Sequence, residues 1–188
     1  MMFAVAFLGL ILVGCASSQS AWDYSRMDAD SYAQVAAGVD RLDDDGRRAV
    51  YRHVAAVADE VVPFDWRAAG VTLAIACRPA HGSACPIGMA YRSERTIVLS
   101  PHVRWLTVEA LQVLVAHEFA HAWQWDRPWP AGSLIALADV WMPQGAPLSE
   151  LEADCIAAVW GYVAPRNVGL AYWVCPAEAL SAVAHESP

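Results

Sequence analysis

The stretch from His117 to Trp125, HEFAHAWQW, sets two histidines and a glutamate inside an otherwise apolar run. On a helix, residues four apart share a face, with Cβ atoms about 5–6 Å apart, so His117 and His121 can reach one ion together. Glu118 is rotated by about 100° from His117, which places its carboxylate beside such an ion and not on it. The plain alternative is a buried helix whose histidines only form hydrogen bonds. For either histidine alone that alternative is the better one; the complete H-E-x-x-H pattern favours metal. The surroundings agree. Thr107 is a plausible N-cap, and Leu111, Leu114, Val115 and Phe119 form a continuous apolar stripe, which predicts a helix of about five turns. The short β-branched segment RTIVLS, Arg95 to Ser100, precedes it and reads as a strand.

Two imidazoles do not complete a catalytic zinc site, which needs a third protein ligand and a position for water. The segment SELEADC supplies three carboxylates on a predicted helix. Glu150 and Asp154 are four apart and share a face, whereas Glu152 lies about 200° from Glu150 and points elsewhere. The longer glutamate reaches further from a packed helix, so Glu150 is the expected third ligand. Asp154 is suited to orienting His117 or His121 from behind. A solvated helix start, where carboxylates favour the dipole, is the ordinary reading of such a cluster taken by itself.

LVAHEFAHAWQ followed by ELEADCIAAVWGYVA resembles the gluzincin metallopeptidases, with the second block most similar to bacterial neutral zinc metallopeptidases and more loosely to membrane-embedded prenyl-protein peptidases. The likeness spans Thr96 to Val163. It implies Zn2+ held by His117, His121 and Glu150, with Glu118 as general base for peptide-bond hydrolysis. It also implies a zincin-like domain of α+β class, mostly helical, with a small antiparallel or mixed sheet packed on the H-E-x-x-H helix. Arg95 to Ser100 would be an edge strand pairing with an extended peptide substrate. Tyr162 and His102 are candidates for stabilising the oxyanion. Two other functions share these residues: a non-catalytic metal-binding or assembly lipoprotein, and a metal-dependent amidase acting on cell-wall peptide.

The rest of the 188 residues frames that site. The first residues, MMFAVAFLGLILVGCA, form an apolar run of signal-peptide length that ends at Leu12-Val13-Gly14-Cys15. This resembles a bacterial lipobox, which implies export, lipidation at Cys15 and anchoring to a membrane. Alanine after the cysteine favours the outer membrane and its periplasmic face. Residues 1–14 are then the signal, 15–28 a tether, and 29–188 a single domain. The other cysteines, Cys77, Cys85, Cys155 and Cys175, form an even set, for which the local pairings Cys77–Cys85 and Cys155–Cys175 are expected. A formal charge of −8 without basic clusters argues against nucleic acid as a partner; the metallopeptidase resemblance implies a peptide or protein substrate.

Elsewhere the periodicity predicts amphipathic helices over Asp28 to Leu42 and Arg47 to Val62, separated by Asp43-Asp44-Asp45-Gly46, which reads as a turn and helix cap. Gly70 to Cys77 reads as a strand, and the residues from there to Arg95 as a loop. Asp126 to Ser149 carries four prolines and two glycines and reads as a long loop with a short helix at SLIALADV. A last helical segment is expected around PAEALSAVAHE. Trp123 and Trp125 are expected in the core, and Trp129 and Trp141 over the cleft as a lid. His53, His81 and His185 are expected on the surface.

Overall fold

A computed structural model of the chain describes residues 41–78, 85–126 and 148–163, together with residues 30, 33, 34, 175 and 180. Cys15, the loop tryptophans Trp129 and Trp141, the SLIALADV segment, His81 and His185 lie outside the described residues. So do most of the expected first and last helices.

Helix α1, Asp44–Val61, begins where the aspartate run predicts. Asp43 is its N-cap, accepting from the Gly46 amide at 2.7 Å, and Asp44 and Asp45 fall in the first turn, where carboxylates favour the helix dipole. Its valines at 50, 54, 57 and 61 are all buried. His53, on the opposite side, is exposed as expected.

Three strands form one mixed sheet in the order β1-β3-β2: β1 is Thr72–Ile75, β2 is Gly88–Tyr91 and β3 is Thr96–Leu99. β1 runs parallel to β3, with Thr72 opposite Thr96, and β2 runs antiparallel to it, with Gly88 opposite Leu99. Two expectations are corrected here. The segment between Cys77 and Arg95 is not all loop, because Gly88–Tyr91 is a strand. The strand within Arg95 to Ser100 is central and not an edge, and cannot pair with a substrate through its backbone. The reason is visible in burial. All four β3 side chains are buried, as a strand covered on both faces requires, whereas those of β2 are only partly buried.

A short 3₁₀ turn, Arg92–Glu94, joins β2 to β3, and Arg95 closes it at φ 50°. That left-handed conformation is costly for a residue with a side chain. Hydrogen bonds from the Arg95 guanidinium to the Ala69 carbonyl and to Asp126 hold it there.

After a second 3₁₀ turn, Pro101–Trp105, Thr107 caps helix α2, Val108–Gln124, by accepting from the Ala110 amide. Leu111, Leu114, Val115 and Phe119 join the α1 valines and Leu73, Ile75, Ile97 and Leu99 of the sheet in the main core. Helix α3, Leu148–Val159, packs on the other side of α2 through a smaller cluster of Ala120, Leu151, Ala153, Cys155 and Ile156. Alanines at that seam let the two backbones approach closely, which is what brings side chains of α3 to the histidines of α2. α2 is therefore buried nearly all round, with eleven of its residues inside. Trp125 belongs to the main core, and Trp123 packs against the smaller cluster.

Cys77 and Cys85 lie at disulfide distance with Cα atoms 5.3 Å apart, closing the connection from β1 to β2. Cys155 and Cys175 do the same at 4.9 Å, tying α3 to the chain twenty residues on. The pairings are the local ones. Among the described residues, no helix is long and apolar enough to cross a membrane.

Candidate metal centre

His117, His121 and Glu150 come together between α2 and α3, with one ligand atom from each lying within 4.8 Å of the others. The Glu150 Oε2 atom stands 3.2 Å from His117 Nε2 and 3.4 Å from His121 Nε2. Ligands bound tetrahedrally at about 2.1 Å from a zinc ion are separated by about 3.4 Å. Both separations lie near that value, and these three residues could hold a metal ion. The two rings stand nearly perpendicular, with centroids 4.8 Å apart, so each can direct Nε2 to a common point.

What lies behind each ring fixes which nitrogen faces forward. Asp154, one turn beyond Glu150, is buried and its Oδ1 accepts from His117 Nδ1 at 2.7 Å. Asp154 is the residue expected behind His117 or His121, and the ring it bonds is His117. Behind His121 the partner is one the sequence reading missed. His121 Nδ1 donates to Gln124 Oε1 at 2.8 Å, and Gln124 Nε2 donates to the Ser149 carbonyl at 3.0 Å and to Glu152 Oε2 at 2.7 Å. With both amide protons engaged by oxygens, the Gln124 carbonyl must face His121. Glu152 does point away from Glu150, as its position on the helix requires, but it turns toward the end of α2 and anchors this second support.

The electrostatics follow from that packing. In the metal-free protein, burial disfavours a charged His117, but hydrogen bonds to Asp154 and Glu150 outweigh it and push the ring up to about 10. His121 is also raised, its burial overcome chiefly by the hydrogen bond to Glu150. Glu150 is held well below the usual carboxylate range by the two imidazoles. A metal ion entering this site therefore displaces protons from the histidines.

Glu118 is buried beside the ligands, and burial pushes its carboxyl up against the opposing pull of His117 and His121. It lies against the backbone of β2, where a methyl group on Gly88 would sit 2.3 Å from Glu118 Oε1. Only glycine permits that approach. A cleft of about 410 Å³ opens there, lined by Gly88, Met89, Ala90 and Arg92 on one side and by Glu118, His121, Gln124, Trp125, Ser149 and Glu150 on the other. Trp125 thus serves both core and cleft. Neither Tyr162 nor His102 lines it: Tyr162 packs on the main core, and His102 is buried in the second 3₁₀ turn. Arg92 does line it, and no pattern in the sequence marked it. Comparison with family models, with curated proteins and with solved structures gave no match to this chain.

Proposed function

We propose that the chain is a zinc-dependent peptide hydrolase of gluzincin type, with His117, His121 and Glu150 as the metal ligands and Glu118 as the general base. The observation that carries this reading is the pair of spacings from Glu150 Oε2 to the two Nε2 atoms, with the buried Glu118 carboxylate next to them. Two imidazoles with one carboxylate are a donor set that suits zinc better than a hard cation such as magnesium or calcium. When bound, zinc would supply Lewis acidity, making a nearby water more acidic and polarising a substrate carbonyl.

The chain's own residues do the rest. Asp154 and Gln124 hold the two rings with Nε2 forward, so the ligands need no rearrangement. Glu118, raised above its usual range by burial, accepts the proton of the attacking water and passes it to the leaving amine. The peptide lies along β2, which among the described residues is an edge of the sheet and walls the cleft, so that its backbone can pair with an extended chain. The apolar run ending at Cys15 supports export and lipid anchoring, which would set this cleft at a membrane surface.

The test is metal content and hydrolysis of an unfolded protein by the wild type and Glu118→Gln. Stoichiometric zinc in both, with hydrolysis reduced about 10²–10⁴-fold in the variant, is the expected result. Zinc bound by both proteins and no cleavage by the wild type would instead favour a metal-binding lipoprotein without catalysis.

A further inference from the structure

The proposed hydrolase site accounts for every polar side chain lining the cleft except Arg92 and Ser149. Ser149 engages Gln124 through its backbone carbonyl. Arg92 follows the last residue of β2, and among the described residues its side chain donates from Nη2 to the Trp125 carbonyl at 2.7 Å. Its neighbours are arranged differently. In the same turn Glu94 pairs with Arg78 at 2.7 Å, and Arg95 pairs with Asp126 at 2.8 Å. Among the described residues Arg92 alone of these arginines has no carboxylate partner, and most of its five N–H donors have no partner there. It is also the only arginine or lysine among the described cleft-lining residues.

Around it the chain is acidic, with a formal charge of −8, and two carboxylates line the same cleft. A guanidinium that forms no ion pair with the described carboxylates of its own cleft is matched to an anion from outside. Its planar fork suits a carboxylate, with charge-assisted bonds to both oxygens. Along a strand, Gly88 and Arg92 are separated by about 13 Å, at roughly 3.3 Å per residue. Gly88 marks the position of Glu118, hence of the bond to be cut. A peptide extended along β2 would then present to Arg92 a group about three or four residues from the scissile bond.

Resting on the peptidase reading, we infer that Arg92 is a specificity-determining residue: placed on the β2 wall beyond Glu118, it selects peptides carrying a carboxylate a few residues from the bond that is cleaved. The carboxylate is either an Asp or Glu side chain or the free C-terminus of the peptide.

The experiment uses the zinc-loaded full chain and a neutral peptide of known cleavage site. Aspartate is placed at each position in turn, with C-termini either free or amidated. Within each protein, the ratio of kcat/KM for the acidic peptide to that for the neutral one is read. In the wild type one position, or the free terminus, raises the ratio by about 10-fold or more, mainly through KM, the worth of one charge-assisted hydrogen bond. Arg92→Glu inverts the ratio and favours lysine at the same position, while Arg92→Lys keeps a reduced acidic preference. If Arg92 merely braces Trp125, its replacement lowers all peptides together and the ratio does not move, which overturns the inference. Cleavage of neutral peptides with no acidic preference overturns it while leaving the peptidase reading intact. Absence of any zinc- and Glu118-dependent cleavage overturns that reading and this inference with it.

Discussion

The two halves of the candidate metal centre are built from different materials. Behind His117 stands a buried carboxylate, Asp154, delivered across the helix seam from α3. Behind His121 stands a neutral amide, Gln124, from the next turn of the same helix, itself tethered to Ser149 and Glu152 of α3. An ionised acceptor raises the basicity of its imidazole more than an amide does, and a charge-assisted bond is roughly twice as strong as a neutral one. His117 is therefore the histidine whose orientation depends on the fold being assembled. His121 keeps its partner for as long as α2 stays helical.

That contrast can be broken most severely at the rings. His117→Ala removes a ligand and also leaves the buried Asp154 carboxylate without its imidazole, so the metal-free protein should lose about 3–5 kcal/mol of stability. His121→Ala faces an amide and should lose zinc with a much smaller stability cost. Thermal melts of both variants in chelator decide this. Equal losses would mean that the two supports are equivalent.

Next in size is the pH response of the metal-free form. His117 is raised from 6.5 to about 10, so its stabilising contribution is complete below about pH 6.5 and fades as pH climbs toward 10. Glu150 is lowered from 4.5, so its contribution is complete above about pH 4.5 and is lost only in stronger acid. The chelated protein should melt highest between about pH 4.5 and 6.5 and lower at pH 9. Zinc-loaded protein should show the opposite trend, because zinc competes with those same protons.

The supports themselves come third. Asp154→Asn should weaken zinc binding by about 10–100-fold, and Gln124→Ala by about 10-fold at most, both read by competition with a chromophoric chelator. The smallest effect is expected at Glu152→Gln, which keeps a hydrogen-bond acceptor for Gln124 and should stay below about 10-fold in the same assay. An effect at Glu152 as large as that at Asp154 would show that the second support is electrostatic as well.

Local pattern carried much of this molecule. Thr107 and the stripe Leu111, Leu114, Val115 and Phe119 marked α2 almost residue by residue, because capping and helical periodicity are written within one segment. The valines of α1 and the aspartates before it were legible for the same reason. β2 was not. Gly-Met-Ala-Tyr has no β-branched residue and no clean alternation, since its shape answers to the Glu118 carboxylate lying on Gly88. The central place of β3 was equally hidden, as a short apolar strand reads alike at an edge or in the middle until its neighbours are known. Gln124 and Arg92 carry ordinary side chains whose significance lies wholly in what they meet.

By itself the sequence determined the chemistry on offer: a pair of imidazoles on one turn of a helix, a glutamate beside them, and a later helix with Glu150 and Asp154 on one face. Those are relations between residues a few positions apart, and helix geometry alone fixes them. The packing of α3 on α2 decided that Glu150 would stand between the two rings, that Asp154 would serve His117, and that Gln124 and Glu152 would serve His121. Those partners lie twenty-five or more residues apart in the chain, except Gln124 and its own histidine. Their meeting depends on how closely the alanine seam lets two helices approach, which no local rule specifies.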